Sequence, residues 1–376
     1  MKLAIISHTE HYKRPDGTLV GWGATVSEIN HLLAIFDEVY HIAMLYDTEV
    51  PASALPYISD KVHFIPIPSV GGKGFLNKLE VIWKSPKIIQ IVSKTLRDVD
   101  CFQLRTPTGI GVFLIPYLSV FVKQKGWFKY AGNWNQLQPP LGYRLQRWML
   151  KLQRRTVTIN GYWEQQPLHH LSFENPCLTD ADIVLGRQIR QDKSLERKIT
   201  FCFVGRLERE KGVETILSAF HSLSADLVSR IGTIHFVGEG EESTYFKQLA
   251  NEGNLHVLFH GALPRQEVFE IYKQSHAFLL PTTASEGFPK VIAEAMNFGC
   301  IPIVSNISAI GHYIKHNDNG FLLNEVTYEA LISMLYTMLN LSEENYKRML
   351  ESFDTVVEKF TFSHYNSRIK HDILKF

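Results

Sequence analysis

The feature that most constrains the fold is a regular alternation beginning at Lys198. The run "KITFCFVGRL" feeds a loop and then "GVETILSAFHSL", whose apolar residues recur at helical spacing. After it come "GTIHFVGEG", "ESTYFKQLANEG", "LHVLFHG", "RQEVFEIYKQS", "HAFLLPTT", "SEGFPKVIAEAMNFG" and "CIPIVSN". Short, continuous apolar runs are what strands buried on both faces look like, and separated by helices they build a parallel sheet. The chain is therefore read as an α/β protein. The first half repeats this order more loosely, as "KLAIISH", a long loop, "GATVSEINHLLAIF" and "EVYHIAML", with further strands expected at "VHFIPI", "DCFQLR", "WFKYAGNW" and "TVTING".

A length of 376 residues exceeds the ~250–300 at which one core stops growing, so two Rossmann-like domains are expected. They are placed at 1–180 and 198–359, joined by a charged linker, 181–197, that lacks a sustained period. The tail "FTFSHYNSRIKHDILKF" reads as a last helix.

Lys and Arg (39) balance Asp and Glu (38), so nothing global attracts nucleic acid. The four cysteines are scattered, three of them in or beside apolar runs, and read as buried thiols in a reducing compartment. Only six residues precede polar side chains at the N-terminus, too few for a signal segment, and a cytoplasmic protein is expected. The longest apolar run, "GIGVFLIPYLSVFV", falls short of the ~20 residues a bilayer needs and contains Pro116, which favours a buried helix. One segment points to a membrane surface instead. "LGYRLQRWMLKLQRR" (141–155) holds five cations, no acid, and a stripe of Leu145, Trp148, Met149 and Leu152. It fits either an interfacial helix on the inner face of a membrane or a helix packing its stripe on the sheet.

Three stretches could carry chemistry. In "SEGFPKVIAEAMNFG", Pro289 suits the first helical position and Gly299 the position just past the end. Glu286, Gly287 and Phe288 would lead into a helix N-terminus, a natural anion site, and the helical wheel turns Glu294 away from the core. The same residues also fit a capping glutamate and a surface Glu294 paired with Lys290. In "VGRLEREKGVETILSAF", Arg206 and Lys211 follow a buried strand and precede a helix, which suits phosphate; solvated cations neutralised by Glu208 and Glu210 would look alike. In "DGTLVGWGAT", Gly21 and Gly23 precede a helix but lack the spacing of a dinucleotide fingerprint, which counts against NAD. Asp98 with Asp100, and Asp180 with Asp182, fit a turn and the linker better than a metal site. No metal or other cofactor is expected.

Taken together, "FVGRLEREKGVETILSAF", "FVGEGEE", "HGALPRQEVFEIY" and "LPTTASEGFPKVIAEAMNFGCIPIVSN" resemble, in order and spacing, the group 1 glycosyltransferases, the retaining family four with the GT-B fold. The likeness is dense from Thr200 to about Phe321 and loose before it. It implies two Rossmann-like domains with a nucleotide-sugar cleft between them and residues 360–376 crossing back to the first. It implies a metal-independent, retaining transferase, a hexosyltransferase by type, that moves a sugar from a UDP- or GDP-sugar to a glycan or lipid-linked oligosaccharide in cell-surface polysaccharide or glycoconjugate assembly. Arg206 and Lys211 would bind the diphosphate and stabilise the departing charge. Glu286 would hold donor-sugar hydroxyls, Gly287, Phe288 and Lys290 would lie along sugar and phosphate, and Glu294 would accept from the ribose diol. Gly23 would belong to the phosphate-facing loop of the first domain.

The chain departs from the pattern in one respect. Many members carry a first-domain histidine near the reacting carbon, and the equivalent stretch here, "YAGNWNQ", offers Asn133. Asn is no base, so its implied role is positioning or polarisation. That departure suggests one rival reading, a non-catalytic partner subunit that binds nucleotide sugar; the shared two-domain scaffold leaves another, a nucleotide-sugar epimerase.

Overall fold

The computed structural model describes residues 1–51, 53–71, 75–195 and 198–375. The chain divides into two compact units: Met1–Asn175 with His364–Phe376, and Pro176–Ser363.

The first unit is built on β1 (Lys2–Lys13), β2 (Leu19–Trp22), β3 (Glu38–Leu45), β4 (Ala54–Pro56), β5 (Val62–Ile67), β6 (Cys101–Thr106), β7 (Lys125–Tyr130), β8 (Val157–Ile159) and β9 (His170–Ser172). Seven of these pair in parallel in the order β5-β3-β1-β6-β7-β8-β9. Side chains of β1 alternate between the two faces of this sheet, as a strand's must. Leu3 and Ile5 enter one core, and Ala4 and Ile6 the other. The expected long loop after the first strand is instead more strand. The outer half of β1 pairs antiparallel with β2 through His11–Gly21, and β2 pairs in turn with β4.

The return of the chain to this unit rests on a buried ionic cluster. Glu28, on helix Gly23–Leu32, accepts from Lys129 Nζ at 2.7 and 2.8 Å, Arg105 Nη2 at 2.8 Å and the Tyr365 hydroxyl at 3.0 Å. A carboxylate this buried must be paired, and two cations with a phenol supply the partners. The returning segment starts at 364 rather than at the expected 360. Phe360 stays in the second unit, stacked against Phe288 at 4.6 Å between centroids, with Tyr313 beside both.

The second unit holds β10 (Ile199–Val204), β11 (Ile231–Val237), β12 (His256–Phe259), β13 (Ala277–Leu280), β14 (Ile301–Ser305) and β15 (Phe321–Leu323), all parallel, in the order β12-β11-β10-β13-β14-β15. Five of the six stand where the apolar runs put them, while β15 was not anticipated. The expected linker is a helix of this unit, Asp180–Asp192. Its start was written in the sequence as a reciprocal cap: the Thr179 side chain accepts from the Asp182 N–H, and the Asp182 carboxylate accepts from the Thr179 N–H. That arrangement also uses Asp182 for folding. All four cysteines are buried free thiols.

Candidate active site

In an open parallel sheet, ligands bind beyond the carboxyl ends of the strands, where the strand order reverses. In the second unit that point lies between β10 and β13. The loop after β10 carries Arg206 and Lys211; the loop after β13 carries Glu286 and runs into helix Lys290–Asn297. The two loops are tied by their backbone. The Glu210 carbonyl accepts from the Thr283 N–H and the Thr282 hydroxyl, both at 2.8 Å. Between Lys211 and helix Val213–His221 stands Gly212 at φ +83°, a left-handed conformation in which a Cβ would also overlap the Pro281 carbonyl.

This packing buries Lys211, and its Nζ donates to Glu286 Oε1. Two residues 75 positions apart are thus one ion pair, with the lysine enclosed and the carboxylate 41% exposed. Arg206 behaves differently. It is 70% exposed and pairs with Glu208 at 2.7 Å, so its side chain is available at the loop surface. Pro289 sits one residue before the helix as its cap rather than at its first position, and Gly299 ends it at φ +80°. Phe288 offers a ligand only its backbone, since its ring is buried in the aromatic trio with Tyr313 and Phe360. Lys290 is half-buried, and its carbonyl lies 3.7 Å from the Cys177 thiol.

Glu294 corrects the helical wheel. It does not face open solvent, nor does it pair with Lys290: its side chain is 15% exposed and lies 3.7 Å from the Arg265 guanidinium. Arg265 is fixed by the Cys177 carbonyl, by Asp182 at 3.0 Å and by the Phe269 ring at 4.1 Å. Burial pushes the Glu294 carboxyl above the usual carboxylate range, against the pull of Arg265 and Lys290.

Gly23 and Asn133 lie in the first unit. Gly23 opens helix Gly23–Leu32 directly behind β2, and its missing Cβ makes room for the Ser53 carbonyl. The ring of His11 fills the corresponding space at Gly21. Close approach there serves packing, whatever else it serves. The Asn133 side-chain oxygen accepts from the Asn135 N–H at 3.0 Å, closing a local turn after β7.

Sequence reasoning passed over His8, which stands midway along β1, where the register to β3 shifts between Ile6 and Glu10. Gly71 and Gly109 border its ring, Nδ1 is buried without a hydrogen-bond partner among the described residues, and burial lowers its pKa. Its place at the end of the apolar run "KLAIISH" was the available signal.

The geometry joins a buried cation, an accessible carboxylate and a helix N-terminus at a strand-order switch. Residues 187–353, within the second unit, match the family model described as Glycosyl transferases group 1. Over 148 residues the chain is 30% identical to an uncharacterised glycosyltransferase of Methanocaldococcus jannaschii, covering 39% of this chain and 38% of that one. It is 28% identical over 149 residues to the amylovoran biosynthesis glycosyltransferase AmsK of Erwinia amylovora, covering 38% and 36%. The chain spans less than half the length of the curated relatives it matches. Among solved structures, Anabaena HepE in complex with UDP aligns over 100% of both chains, at 15% identity and a TM-score of 0.70. The lipopolysaccharide outer core galactosyltransferase WaaB aligns over 100% and 99%, with a TM-score of 0.68. The fold is GT-B.

Proposed function

We propose that the protein transfers a sugar from a nucleoside diphosphate sugar to a hydroxyl of a glycan or lipid-linked oligosaccharide, with retention and with protein cations in place of a metal. The observation that carries this reading is the Lys211–Glu286 pair at the strand-order switch of a group 1 glycosyltransferase domain. A donor sugar phosphate divides the pair by charge. Lys211 turns to the diphosphate, and Glu286 accepts from sugar hydroxyls. As the bond from the anomeric carbon to the phosphate oxygen breaks, the diphosphate leaves with the electron pair, and Lys211 with Arg206 offsets its growing charge. The acceptor hydroxyl attacks from the same face and passes its proton to the departing phosphate oxygen. Glu294 receives the ribose hydroxyls, the backbone of Gly287, Phe288 and Lys290 lines the phosphate, and Gly23 and Asn133 remain the contacts proposed for the first unit. AmsK, a relative named for amylovoran biosynthesis, supports a role in surface polysaccharide assembly. We extend the reading to peripheral contact with the inner face of a membrane through 141–155. Among the described residues no helix is long and apolar enough to cross one.

A thermal-shift panel of UDP- and GDP-sugars identifies the donor, since a ligand stabilises in proportion to the logarithm of its concentration over Kd. With that donor, Lys211→Met and Glu286→Gln are each expected to reduce transfer by ~100-fold or more. Near-normal turnover in either sinks the assignment. Donor binding without transfer or slow hydrolysis selects the partner-subunit reading, and sugar isomerisation without an acceptor selects the epimerase.

A further inference from the structure

Helix Leu141–Leu152 is packed with its polar residue inward. Its buried side chains are Gln146 and Leu150. Gln146 donates to the Thr108 carbonyl at 2.9 Å and the Gly142 carbonyl at 3.1 Å, and accepts from the Thr108 N–H at 3.2 Å. Of the apolar stripe, Met149 packs against the core of the unit and the rest faces out. Leu141, Leu145, Trp148 and Leu152, spaced to fall on one side of a helix, are 74%, 42%, 59% and 65% exposed. Beside them, Val120 and Phe121, at the end of helix Gly111–Val120, are 73% and 74% exposed. A groove of about 520 Å³ runs between the two helices, lined by Ile115, Pro116, Val120, Trp148, Met149 and Leu152, with Arg154 at its rim.

Charge decides what covers this face. From Cys101 to Trp163 the sequence has nine Lys and Arg and not one Asp or Glu, in a chain whose net charge is +1. Four of the nine are spent inside the unit. Arg105 and Lys129 serve Glu28, Arg147 binds the Trp134 and Gln136 carbonyls, and Arg155 binds the Gln124 carbonyl. Lys123, Arg144, Lys151 and Arg154 stand exposed around the stripe. A second copy meeting this face through the same patch would set cation against cation. An anionic lipid surface presents the opposite charge at the headgroups and hydrocarbon beneath them, the order in which this face presents cations and apolar side chains.

We propose that this two-helix edge of the first unit docks on an anionic bilayer, with Leu141, Leu145, Trp148, Leu152, Val120 and Phe121 entering the acyl boundary and the groove taking the chain of one anionic lipid. The proposal rests on the membrane contact put forward above and is independent of the transfer chemistry. It is tested on the full-length protein without donor, by co-sedimentation with vesicles of phosphatidylcholine alone or with added phosphatidylglycerol. Binding is expected only with phosphatidylglycerol. Acyl-chain bromine labels are expected to quench a tryptophan signal that Trp148→Phe removes. Arg144→Gln, Lys151→Gln and Arg154→Gln combined should weaken partitioning about a hundredfold, at roughly fivefold per surface cation, with the melting temperature unchanged. Equal binding to neutral vesicles, unaltered binding by the triple variant, or a dimer in sedimentation equilibrium that Trp148→Glu dissociates would each overturn it. Lys211→Met protein separates the two readings, because it is expected to bind vesicles as the unsubstituted protein does while failing in transfer.

Discussion

The two units share a plan and use it differently. Each sheet places its first strand centrally and reverses order beside it, yet the second unit leaves one partner of its ion pair open, whereas the first encloses its ionic cluster between helix Gly23–Leu32 and strands β6 and β7. In the second unit the cation is enclosed and its carboxylate partner is open, so a ligand can compete for the pair. In the first, Glu28 is enclosed by both cations and a phenol, and nothing is left to exchange. Similar ion pairs can thus be a site or a rivet, depending on which partner water reaches.

The largest way to break that contrast is Glu28→Gln. Removing one member of a buried ionic cluster typically costs about 3–5 kcal/mol, because the remaining charges lose their compensation. Calorimetry should show an early transition for the first unit, with donor protection of the second retained. If both units melt together unchanged, the rivet description is wrong. Lys211→Met comes next, and here the loss should appear in transfer rather than in stability, since the partner left behind, Glu286, already reaches solvent. The smallest effect is at Glu294. Its carboxyl is held above the ordinary ~4.3, so as pH falls it gains a proton earlier than a free glutamate would, and the ionised acceptor proposed for the ribose diol is lost. Donor affinity should rise with pH through that raised pKa and then level off. Glu294→Gln should flatten the step and cost about tenfold at neutral pH, where a charged hydrogen bond is worth about 1.5–3 kcal/mol and the amide keeps part of it. Titration calorimetry across pH checks this; a profile that survives the substitution assigns the step elsewhere.

The units also differ in how much the sequence tells. Buried parallel strands such as "TFCFV" and "AFLL" are continuous apolar runs, so the second sheet was legible, apart from the three residues of β15. β2 and β4 were not, being four and three residues long and placed only by the overlong β1. Helix Asp180–Asp192 was hidden by its charge, although its cap was readable. At the site, Lys211 and Glu286 could be singled out, but their pairing spans two loops that only the folded sheet brings together. Glu294 was misplaced because a helical wheel knows one helix, and Arg265 and Asp182 arrive from two others. The stripe of 141–152 left two readings open, since apolar residues at helical spacing look the same whether they meet a core or a bilayer; the buried Gln146 shows only which side of the helix packs inward.

Tyr365 carries a consequence for biosynthesis. A chain made from its N-terminus delivers Glu28, Arg105 and Lys129 long before the phenol that completes their cluster, whereas Pro176–Ser363 is one continuous stretch. The first unit to leave the ribosome is then the last to be finished. Nascent chains halted just short of His364 should yield a protease-resistant second unit while the first is still cut, and equal resistance of both would reject this order.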